Sequence, residues 1–290
     1  MILWLIDPIE KLPLVRDSSL FLAYLHNKMG YKNYFTHELR LNKNKVECDA
    51  FQMSISLDEN VFESISVKDK SPTRTFDITR FKTLFFRLEP PVDEKYGLQA
   101  QLAMFHPKVL NSPIALQVYS EKFLPLYFKK GIPTYTHLEA APSDGVLKPL
   151  YSFGGKGVEK VKKDQALKKE ALFQPFLPEI MKGERRYFTV GTEVFGEVLK
   201  IPHKDDFRCS TVFGASKIRR QIDQKFYKIC KDLAKKLTKM GIQLSVIDFI
   251  GKDIVEINIT CPGFWNYWYT QANEKERLSL QKALKKINPK

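Results

Sequence analysis

Residues 242–261 read IQLSVIDFIGKDIVEINITC. Two runs rich in Ile and Val flank Gly251-Lys252-Asp253, a turn-forming triplet, so a β-hairpin is expected. A three-residue loop there would set Asp248 directly across from Glu256. Side chains alternate along a strand, so Glu256 and Asn258 share a face. Asp248, Glu256 and Asn258 then converge between apolar neighbours. Burying carboxylates without partners is costly. Two readings answer that cost. A hard cation such as Mg²⁺ could sit there, taking oxygen ligands and bridging to phosphates. Alternatively, the polar face is simply solvated. The hairpin alone leaves both open.

The chain has 290 residues, enough for one large domain or two. Its apolar fraction of 43% and charged fraction of 28% are those of an ordinary water-soluble fold. No apolar run reaches membrane-spanning length, and MILWLIDPIE has no basic start, so neither a membrane span nor an export signal is expected. Cys48, Cys209, Cys230 and Cys261 are widely spaced and lack metal-site spacing. They are read as reduced thiols of a cytoplasmic protein. The net charge of +14 favours anionic partners, from nucleotides to nucleic acid, but it is spread along the chain, densest at Lys282, Lys285, Lys286 and Lys290. No nucleic-acid module is visible.

In chain order, strands are expected at 2–6, 31–36 and 83–87, with helices after Asp17-Ser18-Ser19 and over 94–105, and a short strand at Val109-Leu110. Short strands or a ribbon fill 42–79. Alternating strands and helices predict an open parallel α/β sheet, with ligands at the carboxyl ends of its strands. Further on, Asn111-Ser112-Pro113 starts a helix. The pattern then predicts a helix through Glu121 to Lys129 and strands at 132–135, 145–149, 158–161, 171–176, 186–190 and 194–201. An amphipathic helix carries Phe226, Ile229, Cys230, Leu233, Ala234 and Leu237 at helical spacing, and a basic helix covers 272–287.

Several stretches admit a chemical and a plain reading. Ser152-Phe153-Gly154-Gly155-Lys156-Gly157 could cradle phosphates with backbone amides or be a hairpin turn. It is neither a Walker A loop nor a dinucleotide fingerprint. Lys148 in the apolar strand VLKPL calls for an anionic partner, a phosphate or an ion pair. Gln174-Pro175-Phe176-Leu177-Pro178 could border a base ring or be core. No Ser/His/Asp or Cys/His set has catalytic spacing.

The order of these motifs resembles bacterial glutathione synthetase, an ATP-grasp amide ligase, along nearly the whole chain. The matching stretches are Asp7-Pro8, Arg16-Asp17-Ser18-Ser19, Arg87 with Glu89-Pro90-Pro91, Glu121-Lys122, Leu147–Leu150, Gly154-Gly155, Gln174–Pro178, Gly183–Arg186, Lys200-Ile201-Pro202 and Glu256–Pro262. The resemblance implies an α/β (α+β) ATP-grasp fold: a Rossmann-like pre-ATP-grasp domain over 1–111, then an ATP-grasp domain over 112–290, split at 178 into a central lid and a C-terminal subdomain. It implies ATP with Mg²⁺, or Mn²⁺, as cofactors. Asp248, Glu256 and Asn258 would hold the metal. Lys122, Lys148 and the lid residues Gly154, Gly155, Lys156 and Gly157 would contact phosphates. Gln174, Phe176 and Leu177 would face adenine, and Glu184 the ribose. Arg208 and Lys200 would serve the phosphoryl transfer. Asp17, Ser18, Arg87 and Cys261 would face the substrates. The implied partners are a small acid and a small amine, with no membrane or nucleic acid, and with a homo-oligomer as is common in the family.

The implied chemistry needs little acid–base work. A carboxylate attacks the γ-phosphate, and an amine displaces phosphate from the acyl phosphate. Departures fall on the substrate side. The family's Arg-Gly-Asn loop reads Arg208-Cys209-Ser210 here, and Gly263–Trp268 replaces its Thr-x-Ile-Arg-Glu. Phe264 and Trp265 are expected to reshape that pocket. Glutathione synthesis leads. The alternatives are a ligase for another acid and amine, or a non-catalytic protein that binds nucleotide or nucleic acid.

Overall fold

Ile2–Ile6 (β1) is apolar throughout, and all five side chains are buried. A continuous apolar run suits a parallel strand covered on both faces. In the computed structural model, which describes residues 1–58, 64–137, 144–150, 152, 154–162 and 171–289, β1 takes that place. It pairs in parallel with β2 (Asn33–Thr36) on one side. After β2 come β3 (Arg40–Asn42), β4 (Lys45–Ala50) and β7 (Arg74–Asp77) in one antiparallel ribbon, and β5 (Ser54–Asp58) with β6 (Ser64–Lys68) in another. On its other side β1 pairs with β8 (Thr83–Arg87), which is followed by β9 (Val109–Leu110), giving the order β2-β1-β8-β9. Helix α1 (Ser18–Lys28) is N-capped by Asp17, whose Oδ1 accepts the Leu20 N–H at 2.7 Å, and α2 (Glu94–Ala103) is capped by Asp93. The carboxyl ends of β1 and β8 thus open beside the start of α1. Phe153 and Lys290 lie outside the described residues.

After the short helices α3 (Pro113–Val118) and α4 (Leu124–Tyr127), a small antiparallel sheet forms from β10 (Gly145–Pro149), β11 (Glu159–Val161) and β12 (Ala171–Pro175), with β10 central. A larger antiparallel sheet follows, built from β13 (Glu184–Val190), β14 (Glu193–Ile201), β15 (Ser216–Arg220), β16 (Leu244–Ile250) and β17 (Asp253–Asn258) in the order β15-β14-β13-β16-β17. Helix α5 (Gln224–Lys239) covers one face, packing Phe226, Cys230, Leu233 and Leu237 with Tyr187, Ile247 and Phe249. On the other face, Phe188, Val190, Val198 and Val246 pack with Trp265 and Trp268 of α6 (Trp265–Thr270) and Leu280 and Leu284 of α7 (Glu274–Ile287). That cluster runs on into Trp4 and Phe21 of the parallel sheet and α1.

Some elements differ from expectation. The helix expected over 121–129 is confined to Leu124–Tyr127. Glu121 is held in a turn instead: its carbonyl accepts the Ile257 N–H, and its carboxylate accepts from Ile259 and Thr260. The strand expected at 132–135 is reduced to isolated bridges at Gly131 and Tyr135. Two elements were missed. Edge strand β15 (SKIRR) carries its charges because an unpaired edge is protected by them, and such a run reads as loop. Helix α6 is six residues of mostly aromatic sequence, WNYWYT, without a helical apolar stripe.

Asn111 links the two large sheets. Its amide nitrogen donates to the carbonyls of Leu244 and Ile259 at 2.7 Å each, and its oxygen accepts the Gln243 and Leu244 N–H groups at 2.8 Å. Asn111→Ala is therefore expected to lower unfolding free energy by about 2–4 kcal/mol in urea titration, by orphaning buried backbone groups. His26 in α1 is fully buried against Trp4, Phe85 and Tyr31, and burial lowers its pKa from 6.5 to about 4. Between those values the unfolded chain binds the extra proton, so stability falls as pH falls. The His26 contribution lost is on the order of 3 kcal/mol. Urea midpoints followed from pH 7 to 4 should drop less steeply in His26→Gln than in the unaltered protein.

Candidate active site

The hairpin β16–β17 pairs Asp248 with Glu256, as expected, but by another route. The loop holds two residues, Gly251 and Lys252, since Ile250 pairs with Asp253 and Phe249 with Ile254. Plain pairing would then put Val255 opposite Asp248. A bulge between Asp248 and Phe249 skips Val255 and restores Glu256 to that place. Val255 and Glu256 both line one cavity of about 640 Å³ between the sheets.

Strand pairing assembles the polar face. Arg186 lies opposite Asp248, and Glu184 opposite Lys200. Arg186 grips Asp248 with two bonds, Nε to Oδ1 at 2.9 Å and an Nη to Oδ2 at 2.6 Å. Asn258 donates its amide N–H to the same carboxylate at 3.0 Å, and the Lys200 ammonium lies 3.7 Å away while contacting Glu184 directly. Burial alone would raise the Asp248 pKa, but Arg186 and then Lys200 reverse it and hold the carboxyl far below the usual range. Burial lifts Glu184 to about 7 despite Lys200, because Asp248 is a second negative neighbour.

Across the cavity, Lys148 projects from β10. Burial pulls its pKa below the ordinary lysine range, while Glu256 and Glu184 oppose that. The Lys122 ammonium lies 3.7 Å from Glu256 and donates to the Leu150 and Ser152 carbonyls. Gly154, Gly155 and Gly157 adopt φ of 63°, 77° and 69°, the left-handed region that suits glycine. Gly154, Gly155 and Lys156 line the cavity opposite Ser210 and Arg208. Arg208 is stacked on Phe213 and bonded through its guanidinium to Asp206. A slot of apolar side chains, Ile132, Val146, Ile180, Ile250 and Val255, borders Gln174, Phe176 and Leu177. At the far wall stand Asp17, Ser18 and Cys261.

Nearly all the residues singled out from sequence border this one cavity. Gly157 and the buried Asp248 and Arg87 stand behind its wall. Arg87 donates to Ser19 Oγ at 3.1 Å and toward the carbonyls of Thr260 and Pro262. Phe264 lines the cavity, but Trp265 does not reshape it: the indole is fully buried against Phe188. Arg186 and Glu121 also line the cavity; they lie in stretches that carry the resemblance but were given no role from sequence. The alternation Glu184-x-Arg186 in an otherwise apolar strand is the signal that points to Arg186.

In kind the donor set suits a hard cation, with two carboxylates, an amide oxygen and no sulfur or imidazole; Glu256 and Asn258 line the cavity, while both Asp248 oxygens are engaged by Arg186 behind its wall. Among the described residues no three His, Cys, Asp or Glu side chains form a ready cage, so the ion would draw further oxygens from phosphates.

Solved structures share the fold over its whole length. D-cycloserine synthetase DcsG superposes with a TM-score of 0.67 at 14% identity, covering 99% of this chain and all of its own. The ATP-grasp ligase PsnB, solved with minimal precursor, Mg and ADP, gives 0.56 at 17%, covering 99% of this chain and 96% of its own. The fold is that of an ATP-grasp protein, as the family models bear out. The model of the prokaryotic glutathione synthetase N-terminal domain matches residues 1–117, and that of the same family's ATP-grasp domain matches residues 132–267. Glutathione synthetase of Prochlorococcus marinus subsp. pastoris is 25% identical across 98% of this chain and 96% of its own length. The chain belongs to the prokaryotic glutathione synthetase family, and it is an ATP-dependent carboxylate–amine ligase.

Arg186→Met leaves Asp248 buried without its main partner, and should cost about 3–5 kcal/mol in urea unfolding. Adding Asp248→Asn to that variant should recover part of the loss. No recovery would separate the two residues energetically.

Proposed function

We propose that the cavity binds Mg²⁺-ATP between the β10–β12 sheet and the larger sheet, and that the chain joins γ-glutamylcysteine to glycine. One observation carries this: a single cavity brings the cations and glycines suited to phosphates together with Asp17, Ser18 and Cys261 from the N-terminal side. Adenine would lie in the apolar slot beside Phe176 and Leu177, with Gln174 at its edge. Glu184 would take the ribose. Lys122 and Lys148 would hold phosphates, and backbone amides of the glycine loop would close over them. Asp248, Glu256 and Asn258 would carry the metal, which supplies charge neutralisation at the phosphates when bound.

The chain's own groups then position and neutralise. Lys148 and Lys200 offset charge as the substrate carboxylate takes the γ-phosphoryl group. Arg208 reaches that group once released from Asp206. Arg186 keeps Asp248 ionised. Apolar Ile250, Val255 and Ile180 keep the slot around the base free of water. Phe264 in the cavity wall favours a second reading, in which the same ligase takes a different acid or amine.

ADP release with Mg²⁺-ATP, γ-glutamylcysteine and glycine tests the first reading, and a panel of other acids and amines tests the second. Mn²⁺ is expected to replace Mg²⁺ at the oxygen site with turnover kept. Lys148→Ala should raise the KM for ATP roughly 10- to 100-fold, the loss of a charge-assisted contact. No ADP release from any pair would remove the ligase assignment.

A further inference from the structure

Strand β17 carries Glu256 and Asn258 on the outer edge of the larger sheet, with no further strand beside it among the described residues. An edge strand leaves alternate N–H groups pointing outward without a ladder partner. Here a distant turn supplies the partner through one residue. The Glu121 carbonyl accepts the Ile257 N–H at 3.0 Å. Its Oε1 accepts the Ile259 N–H at 2.6 Å, the Thr260 N–H at 2.8 Å and the Thr260 hydroxyl at 2.9 Å. Asn258 is thus bracketed, since the residues before and after it are both bound to Glu121.

The bracketing fixes directions. Ile257 and Ile259 are fully buried in the core, while Glu256 and Asn258 line the cavity. A twist of the 258–260 backbone would turn the Asn258 amide from Asp248, to which it donates at 3.0 Å. The next residue of the turn bears on the same strand. Lys122 lies 3.7 Å from Glu256, and it donates to the carbonyls of Leu150 and Ser152 just past β10, the strand that carries Lys148. Two consecutive residues therefore tie β17 to the end of β10. A second cavity of about 690 Å³ lies behind the pair, bordered by Leu116, Tyr119 and Tyr127. Glu121 and Lys122 line both cavities, so hydrogen bonds rather than close packing hold them in place.

We propose that Glu121 is a positioning residue for the metal and phosphate site. It stands in for a further strand, pins the end of β17, and so keeps Glu256 and Asn258 in their aim and Lys122 at its distance from Glu256. The proposal rests on the Mg²⁺-ATP reading. Glu121 acts through its neighbours and is not one of the ion's own ligands. Groups that orient metal ligands in this way change metal affinity when they are removed, without touching the ion.

The test uses the full chain and two measurements. Glu121→Ala removes the carboxylate, whereas Glu121→Gln keeps an acceptor oxygen. In the ligand-free chain, amide hydrogen exchange at Ile259 and Thr260 should be roughly tenfold faster in Glu121→Ala, and close to unaltered in Glu121→Gln. With a non-hydrolysable ATP analogue present, Mn²⁺ binding followed by electron paramagnetic resonance should weaken roughly 10- to 100-fold in Glu121→Ala, and Glu121→Gln should restore most of it. Glu121→Asp, whose carboxylate falls one methylene short, should stand between the two and serves if Glu121→Ala does not fold. Leu233→Ala, a core truncation beneath α5, should leave Mn²⁺ affinity unchanged. Equal weakening in Leu233→Ala would reduce the effect to lost stability and overturn the proposal. If the unaltered chain binds Mn²⁺ and Glu121→Ala binds it as tightly, the proposal alone falls. If the unaltered chain binds none, the Mg²⁺-ATP reading falls and takes the proposal with it.

Discussion

A carboxylate sealed inside a protein must be answered by positive charge, and the buried Asp248 sets much of this architecture. Its partners Arg186, Lys200 and Asn258 come from β13, β14 and β17, so three strands are held in register by one ionised group. Removing water from charges costs several kcal/mol each, and only well-aimed partners return it. Such a network is poor insulation for a core. It makes sense beneath the floor of a cavity where, in the proposed function, phosphates and a cation would enter the same balance of charge.

The layers around that floor divide the work. The larger sheet turns an aromatic half toward α6 and α7 and a charged half toward the cavity, both on one face. Phe188 and Arg186 are two residues apart on β13, so they share that face, yet Phe188 packs on Trp265 and Arg186 on Asp248. The N-terminal parallel sheet meets this face through Arg87, whose side chain reaches the Thr260–Pro262 backbone. The cavity is therefore bounded by rigid sheets on most sides. The glycine loop and the Arg208 loop close the remaining one.

Much of this was legible in the sequence. Apolar runs marked the parallel strands, helical spacing marked α5, and the hairpin at 242–261 marked the polar triad. Side chains whose partners come from distant strands were harder to read. Arg186 looks like one more cation of a basic chain until β16 is laid beside it. Glu121 breaks a helix that local propensity favours, because three donors from the end of β17 claim its carboxylate. Trp265 is bulky beside a pocket in sequence, but the left-handed Phe264, at φ 75°, swings the chain so that one ring faces the cavity and the next enters the core. Such reversals depend on a single backbone angle, which composition does not announce.

The bulge in β17 bears on how this site could change over time. A hairpin of strict alternation gives every second residue to the cavity. By doubling Val255 and Glu256 against one partner, this strand presents an oily and an acidic group side by side. Losing Val255 would restore strict alternation and still leave the acid opposite Asp248. The lining of the slot and the charge beside it can thus drift separately: a change in chain length here edits one without disturbing the other.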